Sequence, residues 1–232
     1  MPVYRLTEAA AFPDPREAEP SGLLAVGGDL RPERLLLAYA SGIFPWYDEP
    51  PICWFSPDPR AALLPADLRV PRRLRRTLRS GRFELRLDTS FADVVDACAH
   101  VPRPDQNGTW ITPEMAQAYT RLHELGFAHS AEAWRDGHLV GGVYGVAVGA
   151  AFAAESMFHH ERDAGSVALV ALVDQLAAWR FTLFDAQLPT EHLARFGISA
   201  WPRDRYLSCL ADAVECTGRP GRWHFECGGD ET

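Results

Sequence analysis

We expect an α+β protein because of the element order in residues 127–197, a hairpin signal within that segment, and a composition typical of globular domains. The order read from hydrophobic periodicity is strand, strand, strand, helix, strand, helix. Asp136 and Gly137 separate two apolar runs, which is the strongest short-range indication of a β-hairpin. Hydrophobic residues make up 47% of the 232 and charged residues 23%, which excludes a disordered chain. Together these observations predict a mainly antiparallel mixed sheet flanked by helices.

Residues 1–65 are predicted to form a small, loop-rich domain, followed by a second domain over residues 66–232. Proline and glycine interrupt the first segment at close intervals, and only residues 31–41 show helical spacing, with a proline suited to the first turn. Trp46 and Trp54 lie near these turns, where a ring most often packs against a larger body.

A helix with one arginine face is predicted directly after that boundary. Val70, Leu74 and Leu78 recur at steps of four, and another face carries Arg72, Arg75, Arg76 and Arg79. Residues 69–86 carry a net charge of +7, although the whole chain carries −8. Charges more than about 8 to 10 Å apart are largely screened in physiological salt. An arginine face is usually only solvated, but this concentration of charge favours phosphate binding.

The remaining elements follow from periodicity and capping residues. Ser90 is expected to cap one helix, and Thr112 with Pro113 to open another that ends before Gly126. The later elements are predicted as strands over 131–135, 138–146 and 150–157, a helix over 167–179, a strand over 181–187 and a short helix over 189–196. The tail after Gly218 is expected to be weakly structured.

Several chemistries are excluded by the residues that are absent. No lysine occurs, which excludes a Schiff-base lysine, a P-loop lysine and a lysine base. The five cysteines are widely spaced without a C-x-x-C pair, so we expect reduced thiols, no metal site and no cofactor. The longest uncharged run, residues 139–154, is shorter than the roughly 20 apolar residues of a membrane helix, and no signal peptide is evident. We expect a cytoplasmic protein.

Polar residues at two strand ends are candidates for chemistry. Asp185 and Gln187 project from the same face of a buried strand, and Glu155 closes an otherwise uncharged strand. Taken singly, the pair is better explained by strand-end hydrogen bonds and the glutamate by a salt bridge to an arginine. Trp46 and Trp110 near a basic face suit stacking on unpaired bases, although such rings more often pack on the core.

Residues 162–167 partly match the R/Q-x-x-G-x-G/A pyrophosphate loop of acyl-coenzyme-A N-acetyltransferases. The last position is Val167, where glycine or alanine is expected. A coenzyme-A-dependent N-acyltransferase is therefore one alternative, and an RNA-binding module without catalytic activity is another.

Seven short runs resemble, in order along the chain, the leucyl/phenylalanyl-tRNA–protein transferase family. The runs are Gly22–Leu30, Gly42–Trp46, Trp54–Arg60, Gly108–Thr112, Tyr119–Gly126, Val140–Val146 and Glu155–Phe158. The resemblance covers most of the chain. It departs from the family pattern at Ser166, where a lysine is expected, and at Ala154, where a glycine is usual.

The resemblance implies transfer of Leu, Phe or Met from an aminoacyl-tRNA to the N-terminal Arg or Lys of an acceptor protein, which marks that protein for N-end-rule degradation. It also implies a C-terminal domain with an N-acetyltransferase-like fold of the GNAT superfamily. An aminoacyl ester is already activated, so the reaction requires no nucleotide or metal. The surplus of acidic residues outside the arginine segment suggests a docking surface for the basic acceptor.

The resemblance also implies roles for individual residues. Asp185 and Gln187 are expected to assist proton removal from the attacking amine, and Glu155 to hold the amino group of the aminoacyl moiety. Trp46 and Trp110 are expected to contact the 3′-terminal adenosine. The residues expected to bind the acceptor stem are Arg72, Arg75, Arg76 and Arg79. We hypothesise that an apolar pocket for the aminoacyl side chain is walled by Phe152, Val143 and Leu169.

Overall fold

The computed structural model describes residues 3–101 and 110–226, and these form a mixed α+β protein as predicted. The strands are β1 (Tyr4–Leu6), β2 (Leu23–Gly27), β3 (Phe44–Pro45), β4 (Cys53–Phe55), β5 (Arg60–Leu63), β6 (Glu84–Leu87), β7 (Ala128–Arg135), β8 (His138–Val148), β9 (Ala151–His159), β10 (Leu183–Gln187) and β11 (Ser199–Trp201). The helices are α1 (Pro32–Ala40), α2 (Arg72–Arg79), α3 (Phe91–His100), α4 (Pro113–Glu124), α5 (Ala164–Ala178), α6 (Glu191–Ala194) and α7 (Arg203–Val214). No helix within these described ranges is both long and apolar enough to span a membrane.

The smaller sheet has the order β1-β2-β4-β3 and lies within residues 4–55. Strands β1 and β2 are parallel, and the other pairs are antiparallel. Trp54 lies on β4 and is fully buried, and its indole N–H donates to the carbonyl of Gly27 at 2.8 Å. The ring therefore packs into the core from a strand.

The larger sheet has the order β11-β5-β10-β9-β8-β7-β6, and only β9 and β10 are parallel. The β7–β8 hairpin turns at Asp136 and Gly137 as predicted, both with positive φ (50° and 78°). Strand β5 pairs with β10 and β11, although it precedes the division expected between residues 65 and 66. That division stays a prediction.

Helices cover both faces of the larger sheet. Helix α5 packs closely on β8, where a Cβ atom on Gly141 would lie 2.6 Å from the Cβ of Ala164. The opposite face packs against α1, α3 and α4 in a cluster that also contains Trp54 of the smaller sheet. The two sheets therefore share one hydrophobic cluster.

The tail after Gly218, predicted to be weakly structured, is described over residues 219–226 only; these form no helix or strand, but Trp223 packs against the larger sheet, and residues 227–232 lie outside the described residues. Trp223 is 2% exposed, and its ring stacks on His129 with a centroid distance of 3.5 Å. Its backbone N–H donates to Asp88 Oδ2 at 2.7 Å. The tail is rich in glycine and polar residues, so its composition gave no indication that Trp223 would be buried.

The two predicted N-caps have different outcomes. Thr112 accepts the N–H of Met115 at 3.2 Å, which confirms it as the cap of α4. Ser90 makes no side-chain cap, because its hydroxyl pairs with Asp93 instead. The buried Glu132 of β7 accepts the N–H groups of Thr89 and Ser90, each at 2.8 Å, so a neighbouring strand satisfies these donors.

Candidate active site

Two β-bulges lie where the parallel strands β9 and β10 separate. Their pairing ends at Ala153 and Asp185. Directly beyond, Glu155 is the extra residue of β9 opposite β8, and Ala186 is the extra residue of β10 opposite β5. Bulges redirect side chains, and here they bring Glu155 and Gln187 together. Gln187 has a φ of 62°, an unusual backbone conformation for a residue other than glycine.

Glu155 is held by neutral hydrogen-bond donors. The amide Nε2 of Gln187 donates to Glu155 Oε1 at 2.5 Å, and the hydroxyl of Tyr119 donates to Oε2 at 2.7 Å. The hydroxyls of Tyr39 and Tyr119 are 2.6 Å apart, which extends the network to α1. The salt bridge expected for Glu155 in isolation is absent among the described residues. Because the amide nitrogen of Gln187 faces a carboxylate, its carbonyl oxygen points away from Glu155.

Burial raises the pKa of Glu155 from its ordinary 4.5 to about 7. The hydrogen bonds from Tyr119 and Gln187 oppose this rise, whereas the nearby negative charge of Asp185 adds to it. Glu155 therefore changes its protonation state close to neutral pH.

Asp185 lies in a different environment, because its partner is a buried arginine. Arg60 donates from Nε to Oδ1 at 2.8 Å and from Nη2 to Oδ2 at 2.6 Å. The hydroxyl of Tyr206 donates to Oδ2 at 2.8 Å, and the backbone N–H of Gln187 donates to Oδ1 at 2.8 Å. Each carboxylate oxygen thus has two donors, and Asp185 acts on Gln187 through its backbone.

The two predicted tryptophans have different surroundings in the structure. Trp46 is 37% exposed and makes an edge contact with Phe55 at 5.4 Å between centroids. Trp110 is half-buried and packs against the cluster that contains Tyr39 and Tyr119. Gly108 and Thr109, the start of the Gly108–Thr112 run, lie outside the described residues.

Helix α2 confirms the predicted amphipathic pattern. Leu74 is buried, whereas the predicted arginines are all exposed: Arg72, Arg75, Arg76 and Arg79. None of the four has an acidic partner within 4.0 Å in the described part of the chain. Their positive charge is therefore available to a polyanion.

Comparisons with known proteins assign this chain to a family. Residues 62–211 match the family model described as leucyl/phenylalanyl-tRNA protein transferase, and residues 28–58 match the N-terminal domain of that family. The leucyl/phenylalanyl-tRNA–protein transferase of Myxococcus xanthus is 56% identical over 226 residues, covering 96% of this chain and 97% of that protein. The protein of the same name from Nitratidesulfovibrio vulgaris is 57% identical over 227 residues, covering 97% of each. This chain belongs to the leucyl/phenylalanyl-tRNA–protein transferase family.

Solved structures resemble this transferase only weakly. L-PGS from Bacillus licheniformis gives a TM-score of 0.40 at 11% identity, over 82% of this chain and 72% of that one. A likeness this low carries no argument about the fold.

The three residues hypothesised as the aminoacyl pocket of the transferase belong to the hydrophobic cluster on the α5 face of the larger sheet, and Leu169 lies on α5 itself. Val143, Phe152 and Leu169 are each at most 2% exposed. Ala154 and Ala186 are partly exposed and pack against the same cluster, directly beside Glu155 and Gln187 in sequence. Glu155 is bound by Tyr119, which belongs to the cluster on the opposite face of the sheet. The hypothesised pocket residues therefore lie across the sheet from the tyrosines of the polar site, and the pocket stays a prediction.

The N-terminus of α5, where the acyl-coenzyme-A alternative requires an anion site, carries a carboxylate. Asp163 is the N-cap residue, and its Oδ2 accepts from the Thr77 hydroxyl at 3.3 Å and lies 3.9 Å from Arg73. A negative charge there opposes a pyrophosphate. This geometry disfavours coenzyme A as the acyl donor.

Asp88, His123 and His129 have side-chain ligand atoms within 4.8 Å of one another, so their chemistry suits a metal ion. Their existing bonds have a structural role, however. Asp88 accepts from His129 Nδ1, from Ser130 N and from Trp223 N at 2.7 to 2.8 Å. In the described residues, this cluster attaches the C-terminal segment to the sheet.

Arg60 and Tyr119 are site residues that sequence reasoning missed. Both lie in runs that resemble the family, Trp54–Arg60 and Tyr119–Gly126. A buried carboxylate requires a cation, and the salt bridge to an arginine that was expected at Glu155 occurs at Asp185 instead.

Proposed function

We propose that this transferase moves the aminoacyl group of leucyl-, phenylalanyl- or methionyl-tRNA to the N-terminal amine of a protein that begins with Arg or Lys, with Gln187 at the reacting centre. The observation that carries this proposal is the orientation of the Gln187 amide. Glu155 binds its nitrogen, so its carbonyl oxygen is the acceptor offered to an incoming amine. An amine N–H bound there is aligned for attack.

The reaction balances without a cofactor. The amine nitrogen forms a bond to the ester carbonyl carbon, and the bond from that carbon to the terminal ribose oxygen breaks. One proton leaves the nitrogen and one is gained by the ribose oxygen. Positioning and proton acceptance each contribute several kcal/mol to such a step. Asp185 supports it by holding the backbone of Gln187, and ionised Glu155 attracts the amino group of the aminoacyl moiety.

The RNA is bound by the exposed residues of two surfaces. The arginine face of α2 contacts the phosphates of the acceptor stem, and Trp46 and Trp110 stack on the 3′-terminal adenosine. The aminoacyl side chain enters an apolar pocket whose hypothesised walls are Val143, Phe152 and Leu169, and these fully buried side chains must move apart to admit it. A pocket of this kind discriminates one methylene by only about 1 to 3 kcal/mol, which suits acceptance of Leu, Phe and Met.

The product is a protein marked for N-end-rule degradation in the cytoplasm, where charged tRNA and new N-termini occur together. We also propose that the chain is divided into two domains near residue 65. The second domain has the N-acetyltransferase-like fold that the resemblance implies. A sheet that is antiparallel except for β9 and β10 supports that fold.

The test is incubation with radiolabelled leucyl-tRNA and a peptide that begins with Arg, followed by mass spectrometry of the peptide. We expect the peptide to gain one leucine. Gln187→Ala and Asp185→Ala should each lower turnover at least tenfold while tRNA binding persists. Gln117→Ala, a change at an exposed glutamine of α4, is the matched control and should leave turnover unchanged.

The alternatives give different outcomes in the same assay. A coenzyme-A-dependent enzyme requires an acyl thioester and forms no leucylated peptide. An RNA-binding module binds uncharged and charged tRNA equally and forms no product. Either result, or wild-type turnover in both Gln187→Ala and Asp185→Ala, refutes the proposal.

A further inference from the structure

We propose that Arg60 is a positioning residue of the transfer reaction, because its guanidinium joins the carboxylate that holds Gln187 to the turn that carries Trp46. This inference rests on the proposed function of the Glu155–Gln187 site. Arg60 lies on β5, and Asp185 lies on the adjacent strand β10.

The guanidinium of Arg60 is bound along its edges and contacts two aromatic rings. It is 1% exposed, and its Nε and Nη2 form the two bonds to Asp185. Nη1 donates to the carbonyl of Gly42 at 3.0 Å. The rings of Phe44 and Tyr206 lie over the guanidinium carbon at 4.7 and 4.6 Å from their centroids. Only a planar, multidentate cation can make all of these contacts at once.

The first consequence concerns Gln187. Asp185 Oδ1 accepts hydrogen bonds from both Arg60 Nε and the backbone N–H of Gln187. Arg60 therefore positions the carboxylate oxygen that binds the Gln187 backbone. The positive φ of Gln187 is costly for a residue with a side chain and needs support from its surroundings. Without Arg60, the buried carboxylate loses its counter-charge and must move or take up a proton.

The second consequence concerns the Gly42–Trp46 turn. Gly42 has a φ of 75°, and a Cβ atom there would lie 2.7 Å from a methyl group of Leu207, so the turn is confined on one side. The bond from Arg60 confines its carbonyl as well. The aminoacyl ester and its terminal adenosine must reach Gln187 and Trp46 together. Arg60 binds Asp185, which holds the backbone of Gln187, and it also binds Gly42, four residues before Trp46. It therefore limits the separation of these two segments before the substrate binds.

A merely structural role predicts a different result, and the chain contains a matched control. Arg34 is also fully buried, and its Nε lies 3.3 Å from Asp29 Oδ1 in the region of the smaller sheet. Arg34→Lys changes an equivalent buried cation outside the site. Its effect on melting temperature shows what this exchange costs the fold alone.

The experiment compares Arg60→Lys with Arg34→Lys and wild type in the leucyl-tRNA and peptide assay. Lysine retains the charge, but one ammonium group cannot bind both oxygens of Asp185 and the carbonyl of Gly42. We expect Arg60→Lys to lower kcat at least tenfold. The KM for the peptide and the Kd for uncharged tRNA should stay within twofold of wild type. Arg34→Lys should have the same melting temperature as Arg60→Lys and should keep the kcat of wild type.

Tyr206→Phe provides a second test if Arg60→Lys does not fold. It removes one hydroxyl donor from Asp185 Oδ2 and keeps the ring over Arg60. We expect a two- to fivefold fall in kcat at unchanged KM. A kcat for Arg60→Lys within twofold of that for Arg34→Lys overturns the inference, as does wild-type kcat in Tyr206→Phe. Absence of product with wild-type protein instead refutes the proposed function on which the inference rests.

Discussion

Two buried carboxylates, 30 residues apart in the chain, have opposite surroundings in this transferase. Asp185 is bound by the guanidinium of Arg60, whereas Glu155 is bound by a tyrosine hydroxyl and an amide. Burial without a cation raises the pKa of Glu155 to about 7. The guanidinium of Arg60 keeps the carboxylate of Asp185 in place. Within the described ranges, Glu155 has no such cation beside it, so its protonation state is sensitive to pH.

This difference predicts how the stability of the protein depends on pH. The pKa of Glu155 is about 7 in the folded protein and 4.5 ordinarily, so the folded state binds the proton more tightly. Its contribution to the free energy of unfolding is fully present below pH 4.5 and is lost as the pH rises through 7. Glu155→Gln removes this dependence. Relative to that variant, wild type should lose about 2 to 3 kcal/mol of stability between pH 4.5 and pH 8.

Urea unfolding of both proteins at several pH values measures this difference. Parallel stability curves for wild type and Glu155→Gln contradict the prediction. Tyr47→Phe serves as a control, since it alters a buried hydroxyl and leaves both carboxylates in place.

At the scale of elements, the site depends on two bulges and one helix face. The bulges at Glu155 and Ala186 turn two strand ends toward each other, and α2 presents its arginines to solvent. In the proposed function, the bulges redirect the reacting side chains and the helix concentrates the positive charge for binding RNA.

The arginine face predicts a change in salt dependence. Each phosphate contact contributes about 0.9 to the slope of log K against log salt for duplex nucleic acid. Arg75→Ala combined with Arg79→Ala should therefore lower tRNA affinity and reduce that slope by up to about 2. Filter binding over a range of salt concentrations measures both quantities.

Arg121→Ala is the control for the arginine face. Arg121 is exposed on α4 and paired with Glu124 at 2.7 Å, so its loss should leave the slope unchanged. An unchanged slope in the α2 double variant, or an equal change in the control, contradicts phosphate binding by α2.

At the scale of the whole molecule, the chain closes on itself through its C-terminal segment. Trp223 fills a position against His129, Trp179, Phe181 and Phe152, the last of which is a hypothesised pocket residue. Asp88 directly follows β6, and its carboxylate accepts the backbone N–H of Trp223 in this segment. The segment after α7 thus completes the hydrophobic cluster on the α5 face of the larger sheet.

Trp223→Ala should destabilise the protein by about 3 to 5 kcal/mol, as expected for removal of a buried aromatic ring. Trp46→Ala removes a 37% exposed ring and should cost less than about 1 kcal/mol. Urea unfolding compares the two. A loss below about 1 kcal/mol for Trp223→Ala shows that the segment contributes little to the fold.

The sequence alone determined the features that depend on neighbouring residues. The Asp136–Gly137 hairpin, the cap at Thr112, the arginine face of α2 and the mixed α+β architecture follow from turn chemistry, capping and hydrophobic period, and the structure has them all. The candidate residues Asp185, Gln187 and Glu155 came from strand ends and family resemblance, and their proximity agrees with that choice.

Only the tertiary structure decided the partners of those residues. Arg60 and Asp185 are 125 positions apart, and Trp223 and Asp88 are 135 apart. The bulges that turn Glu155 toward Gln187 arise from pairing between strands. A buried charge requires a counter-charge, but any of many arginines satisfies that requirement in the sequence. Within residues 3–101 and 110–226, Arg60 is the arginine that the folded sheet brings to both Asp185 and the carbonyl of Gly42.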